Sequence, residues 1–167
     1  DNKAQATSEL LNKLGTFYAK EIKAPNGYLL DSTKYYFDIT EDNLNPNITV
    51  SDNVIKGNLS ILKLYGMNSL IPEPNITFDI YLKSSNSLYK SITTNNDGMA
   101  SIILPYGTYT VKQKNTTANY EKVKDFEITI NENGQSISKN LVNNPLAAKL
   151  KVVKVDADTK EVVRLSG

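Results

Sequence analysis

An internal repeat with a period near 91 residues constrains this chain more than any other feature, because repeated segments must adopt the same structure. Residues 57–63 align with residues 148–154, so Lys63 and Lys154 occupy equivalent positions 91 residues apart. Two further pairs of segments align at nearly the same offset: 15–21 with 107–113, and 36–40 with 125–129.

The repeat divides the chain into three units. It predicts the C-terminal half of one unit over 1–56, a complete unit over 57–148, and the N-terminal strand or strands of a third over 149–167. The first and third pieces are therefore complementary parts of one fold. They meet between two chains, head to tail, or they belong to neighbouring units of a longer protein.

Short alternating runs rich in Ile, Val, Thr, Tyr and Phe predict β-strands, separated by the turn signals Asn96-Asp97-Gly98 and Asn133-Gly134. This spacing predicts an all-β protein made of tandem Greek-key, immunoglobulin-like β-sandwich domains, one complete and two partial. Residues 7–11 could start a helix, but the repeat alignment favours a strand or loop there. The predicted strands of the complete unit are 59–65, 76–82, 100–104, 108–113, 125–130 and 136–142.

Three predicted strands carry an ionisable side chain among apolar ones, since side chains two residues apart on a strand share a face. A buried charge costs several kcal/mol unless it is paired or has reacted, so these side chains are candidate functional groups. They are Lys63 with Leu59 and Ile61, Lys154 with Leu150 and Val152, and Glu21 with Phe17 and Ala19.

Composition excludes several classes of function. The 167 residues contain no Cys or His, which removes disulfides, thiolate zinc sites and imidazole bases. The net charge of +1 comes from dispersed residues and indicates no nucleic-acid partner. No apolar run reaches the ~20 residues of a membrane span. We predict no metal or other cofactor.

The motifs resemble a known family. A lysine-bearing first strand, then Gly-Thr-Phe-Tyr-Ala-Lys-Glu over 15–21 and Ala-Pro-Asn-Gly-Tyr over 24–28, is similar to the B-type repeat of Gram-positive collagen adhesins and pilins. The resemblance implies a cell-wall-anchored stalk protein at the bacterial surface. It also implies a spontaneous amide (isopeptide) bond between the strand lysine and an Asn near the domain's end, promoted by a buried Glu.

For the complete unit, the resemblance assigns Lys63 as the amine and Asn143 as the acceptor, with Asn140 a weaker candidate. The position of the promoting Glu falls on Gln113. An amide can accept and donate hydrogen bonds but cannot shuttle a proton. We therefore expect the Lys63–Asn143 bond to be absent or inefficient.

For the leading half-unit, the resemblance assigns Glu21 as the proton shuttle, and the acceptor position falls on Asp52. An Asp can form the same amide by losing water. The unmatched lysine of the right type is Lys154, which suggests head-to-tail self-complementation between chain ends. A heterologous contact of that kind builds open filaments.

Taken together, these features predict structural stalk repeats of a Gram-positive surface adhesin or pilus-like protein, extracellular and linked to a peptidoglycan-anchored parent chain. The chain is not expected to be an enzyme beyond one turnover of autocatalytic bond formation. The alternative is an adhesive module that contacts a host extracellular matrix protein through a sheet face or strand edge.

Overall fold

Ten β-strands and no helix form the protein over residues 6–163, the part of the chain that the computed structural model describes. The ends of the two outer predicted units, 1–5 and 164–167, lie outside these residues. The strands are β1 (Gly15–Ala19), β2 (Tyr35–Ile39), β3 (Lys56–Tyr65), β4 (Ile71–Pro72), β5 (Thr77–Leu82), β6 (Ser87–Thr93), β7 (Met99–Pro105), β8 (Gly107–Gln113), β9 (Phe126–Ile130) and β10 (Ser136–Asn143).

A small antiparallel sheet of β1 and β2 lies within the predicted leading half-unit. Its register places Phe17 opposite Phe37, and their rings stack with centroids 6.0 Å apart. Cross-strand aromatic pairs of this kind stabilise a two-stranded sheet that would be marginal alone. Glu21 follows β1 on the same half-buried face as Phe17 and Ala19, as the alternation predicts.

The strand β3 organises the first sheet of the central domain. It pairs in parallel with β10 along its length and antiparallel with β7 and β4 on its other side. Alternation buries Leu59, Ile61 and Lys63 together, which is the face predicted from the sequence. The first and last strands of the domain are therefore direct neighbours.

The second sheet has the strand order β6-β5-β8-β9, all antiparallel. Its inner face packs on the inner face of the first sheet. Between them lies one hydrophobic core, which includes Leu59, Phe78, Tyr109, Val111 and Ile130, each fully buried. The predicted all-β sandwich is confirmed. Among the described residues, the buried polar side chains are Lys63, Glu73, Thr94, Gln113 and Asn143.

Three parts of the chain differ from the prediction: the short strand β4, which was not predicted, strand β6, and the trailing segment. Strand β6 was not predicted because its side chains are nearly all exposed and carry no apolar alternation. The trailing segment does not bury the face that Lys154 shares with Leu150 and Val152. Leu150 is 90% exposed and Val152 is 79% exposed, and Lys154 is exposed as well. Residues 6–14 form neither helix nor strand, in keeping with the prediction.

Over the described residues, the fold offers no helix of the length and apolarity needed to cross a membrane.

Candidate functional site

Lys63 lies near the end of β3 with its side chain fully buried in the sandwich. Its Nζ donates a hydrogen bond to Glu73 Oε2 at 2.7 Å and another to the Leu64 carbonyl at 2.9 Å. The backbone fixes this arrangement, because the Glu73 amide donates to the Lys63 carbonyl at 2.9 Å. The nitrogen of the Lys63 side chain is therefore held against one carboxyl group and shielded from water.

Glu73 is also fully buried and sits between two prolines, in the connection from β4 to β5. Its carbonyl accepts a hydrogen bond from Thr94 Oγ1 at 2.8 Å, and its Oε1 accepts one from the Thr117 amide at 3.1 Å. Neither flanking proline can donate from its own nitrogen, so the segment makes few competing bonds. The carboxyl group is locked in position.

Asn143 completes the cluster from the last position of β10. Lys63 lies opposite Leu141 in the parallel β3–β10 pair, so Asn143 comes two residues further along the neighbouring strand. Asn143 Nδ2 lies 2.9 Å from Glu73 Oε2 and 3.2 Å from Glu73 Oε1. It also lies 2.8 Å from Thr116 Oγ1. One carboxyl group therefore contacts both the amine and the amide.

Burial and pairing shift both ionisable groups. Loss of hydration lowers the pKa of Lys63 from its ordinary value of 10.5, although the bond to Glu73 opposes this. Burial acts to raise the pKa of Glu73, but hydrogen bonds from Lys63 and Thr117 outweigh it and set the pKa below 4.5.

Gln113 does not occupy the position that the repeat alignment assigned to it. Its Nε2 donates to the Asn115 carbonyl at 2.7 Å, and its Oε1 accepts from the Val123 amide at 3.1 Å. Both ends of this amide are thus committed to the backbone. The carboxyl group against Lys63 and Asn143 belongs to Glu73, so the assignment of the acid position to Gln113 is corrected. The expectation that Lys63 and Asn143 would not form a bond rested on Gln113, so the reason for that expectation no longer holds.

Asn140, the weaker acceptor candidate, is exposed on β10 and lies opposite Leu62. Sequence reasoning found Lys63 and Asn143 but missed Glu73. A signal was present: a lone carboxylate between two prolines, ten residues after the buried lysine.

The leading half-unit holds a second, more open cluster. Glu21, Asp31 and Asp52 line one pocket of about 230 Å³ together with the side chains of Ile48 and Val50. Glu21 Oε2 accepts a hydrogen bond from the Asp31 amide at 2.8 Å. The structure thus brings the predicted residues Glu21 and Asp52 together. The other predicted partner, Lys154, is not among the residues that line the pocket.

A family model described as the SpaA prealbumin-like fold domain matches residues 1–54 and 69–145 of this chain. The chain belongs to this family. The match spans nearly all of the predicted leading half-unit and most of the central sandwich, including Glu73 and Asn143. It confirms the relationship to Gram-positive pilin and B-type repeat domains that the motifs indicated.

Solved structures agree with this assignment. The TIE protein of Bacillus anthracis is 28% identical, with a TM-score of 0.68, over 80% of this chain and 25% of its own. GBS52, the minor pilin of Streptococcus agalactiae, shares the fold at 18% identity and a TM-score of 0.54, over 86% of this chain and 66% of that one. This chain therefore spans only a quarter of the first of these proteins. No curated protein matches the chain significantly.

Proposed function

We propose that this chain is a stalk segment of a Gram-positive surface protein or pilus, and that its central domain cross-links itself between Lys63 and Asn143. The observation that carries the proposal is the buried contact of Glu73 with both residues, at 2.7 Å to the lysine Nζ and 2.9 Å to the amide Nδ2. A buried ion pair is a poor source of stability by itself. A reactive arrangement gives a reason for placing these groups inside the core.

The reaction needs a neutral amine and a proton donor. Glu73 takes a proton from Lys63 across their hydrogen bond, and the freed Nζ attacks Asn143 Cγ. The Nζ–Cγ bond forms, and Glu73 passes this proton to Nδ2 and takes a second proton from Nζ. The Cγ–Nδ2 bond then breaks and ammonia leaves, so that Nζ keeps one hydrogen as a neutral amide and Glu73 ends protonated. Prior positioning of the reactants can supply ~7–11 kcal/mol of such a barrier. Each domain reacts once, so the chain does not turn over a substrate.

The product fits the role of a stalk. It replaces a buried ion pair with a neutral amide and joins the first strand of the domain covalently to the last. Extracellular proteins without disulfides need another covalent support, and this chain has no cysteine. We therefore propose an extracellular location at the cell-wall surface, within a longer peptidoglycan-anchored protein.

Intact-mass measurement of the folded protein tests the bond. We expect a mass about 17 Da below that calculated from the sequence, since ammonia leaves as the nucleophile replaces it. Proteolysis should release one branched peptide that contains both Lys63 and Asn143. The matched variant Asn143→Ala should show the calculated mass. An unmodified wild-type mass after prolonged incubation at neutral pH would rule out the proposal.

A second candidate function concerns the chain ends. The pocket that holds Glu21 and Asp52 has apolar walls at Ile48 and Val50, and the exposed segment around Lys154 repeats the pattern of β3. We propose that this segment of one molecule can supply a strand to the leading half-unit of another. An amide between Lys154 Nζ and Asp52 Cγ would then form with loss of water.

Gel electrophoresis in SDS tests this self-complementation. Concentrated protein should give a ladder of covalent oligomers that disappears in Lys154→Ala. The ladder should persist in Lys151→Ala, because residues 151 and 154 would lie on opposite faces of a strand. Strictly monomeric behaviour in both SDS and light scattering would exclude it. This outcome is independent of the mass change within the central domain.

A further inference from the structure

The amide of Asn143 has an imbalance in its hydrogen bonds. Its Nδ2, which carries two hydrogens, lies within 3.2 Å of three acceptor atoms: two on Glu73 and Oγ1 of Thr116. Its Oδ1 is buried and has no hydrogen-bond partner among the described residues. A buried carbonyl without a donor costs about 1–3 kcal/mol. In the resting geometry, Asn143 Oδ1 therefore has no hydrogen-bond donor, although this oxygen must accept negative charge during the reaction.

Rotation of the amide by 180° about its Cβ–Cγ bond exchanges the two ends. Oδ1 then faces Glu73 and Thr116, and each of these can become a donor. Glu73 donates once it has taken the proton of Lys63. Thr116 donates through its hydroxyl, which is already 2.8 Å from the amide. Transfer of the lysine proton and rotation of the amide therefore favour each other.

Attack by Lys63 Nζ on Asn143 Cγ moves an electron pair onto Oδ1. Hydrogen-bond donors fixed around such an oxygen are often the largest contribution to catalysis of acyl transfer. The neighbouring residues Thr116 and Thr117 serve the two partners: Thr117 holds Glu73 through its amide, and Thr116 contacts Asn143. One short segment after β8 thus positions both groups.

We propose that Thr116 is a catalytic residue of bond formation, whose hydroxyl donates to Asn143 Oδ1 as the tetrahedral intermediate forms. This inference rests on the proposed function and adds a residue to it. Thr116 gives a hydrogen bond but transfers no proton. Once Nζ is bonded to Cγ, the atoms Oδ1, Nδ2 and Nζ are substituents of one tetrahedral carbon beside Glu73, so Glu73 can still take the second proton of Nζ and deliver one to Nδ2. The balance of the reaction is unchanged: one C–N bond forms, one breaks, and ammonia leaves.

The test follows the mass of protein refolded from an unreacted, denatured state. Thr116→Val and Thr116→Ala both remove the hydroxyl and should slow the loss of about 17 Da by roughly 100–1,000-fold, the range for loss of one oxyanion donor. Thr116→Ser should react at nearly the wild-type rate. The matched control is Thr108→Val, which removes a hydroxyl from an exposed pair with Thr129.

Two further readouts separate catalysis from support of the fold. Rescue by serine is expected only if the hydroxyl matters, and the pH dependence of the rate should keep its shape while its plateau falls, because threonine does not titrate. Wild-type rates in both Thr116→Val and Thr116→Ala would overturn the role of Thr116 alone. A wild-type protein that never loses mass would overturn the cross-link and this role together.

Discussion

A single carboxyl group contacts both proposed reactants of the central domain, Lys63 and Asn143. Glu73 lies 2.7 Å from the lysine nitrogen, whereas the amide of Gln113 bonds only to the backbone of Asn115 and Val123. Both side chains are buried, and only one can carry a proton from Lys63 to the leaving nitrogen. At the residue scale, the chemistry therefore depends on Glu73.

Substitution of Glu73 by Gln should slow bond formation by roughly 10²–10⁴, the usual contribution of a positioned acid or base. The substituted amide keeps the size of the side chain but cannot shuttle a proton. Intact-mass time courses measure the effect, and Gln113→Ala serves as the control that should still react. A reactive Glu73→Gln protein combined with an inert Gln113→Ala protein would return the role to Gln113.

The rate should have a plateau bounded by two pKa values. Reaction needs one proton on the Lys63–Glu73 pair. Below the pKa of Glu73, which lies under 4.5, the pair carries two protons and the amine stays charged. Above the pKa of Lys63, which burial places under 10.5, the pair has no proton to give. Rates from mass spectrometry at a series of pH values check this. A rate that climbs steadily through pH ~10.4, as for a free lysine, would contradict it.

Strand periodicity predicted one part of the site, and the family resemblance supplied another. Lys63 stands out because it alternates with Leu59 and Ile61, whereas Asn143 was assigned from the resemblance. Glu73 lies in a connection held by two prolines, where no periodicity exists to reveal which side is buried. Only the three-dimensional path of the connection, with the Glu73 amide bonded to the Lys63 carbonyl, brings it to the lysine.

At the scale of elements, the turn before β7 supports the site directly. Gly98 has a φ of +70°, and its carbonyl accepts a hydrogen bond from the Lys63 amide at 2.7 Å. A Cβ at this position would meet the Lys63 carbonyl oxygen at 2.4 Å. The turn signal was visible in the sequence, but its contact with β3 was not.

Gly98→Ala should therefore destabilise the domain by more than the ~1–2 kcal/mol that a left-handed residue alone costs. Gly134→Ala is the matched control, because Gly134 has a φ of +76° and no atom within 4 Å of the added Cβ. Denaturant unfolding in the Asn143→Ala background, which cannot cross-link, gives both free energies of unfolding. Equal losses in the two variants would show that the backbone of β3 moves aside.

The exposure of β6 shows why some elements escape prediction. Six of the seven residues of β6 are exposed. Backbone hydrogen bonds to β5, more than side-chain packing, therefore hold β6 in the sheet. Strands that bury one face were predicted within one to three residues at each end. An edge strand whose side chains are mostly exposed has no such pattern, and only hydrogen bonding to its neighbour defines it.

At the scale of the whole molecule, the proposed cross-link would close a long loop. If the disulfide relation for loop closure carries over, joining residues 63 and 143 should add roughly 4–5 kcal/mol to the free energy of unfolding. Calorimetry should then show wild-type protein melting roughly 15–30 °C above Asn143→Ala, which cannot cross-link but keeps the Lys63–Glu73 ion pair. Glu73→Gln should melt lower than an uncross-linked protein that keeps this pair, because it leaves the buried Lys63 without its carboxylate partner. Coincident melting of wild type and Asn143→Ala would contradict a covalent link.

The parallel pairing of β3 with β10 decides how tension would pass through the domain. Tension that enters at the start of β3 and leaves after β10 pulls these neighbours along their axes in opposite directions. A covalent bond from Lys63 to Asn143 makes this load path almost straight: it follows β3, crosses to the next strand and exits. The residues between them, 64–142, then carry no tension, so the domain can transmit force with its core still packed.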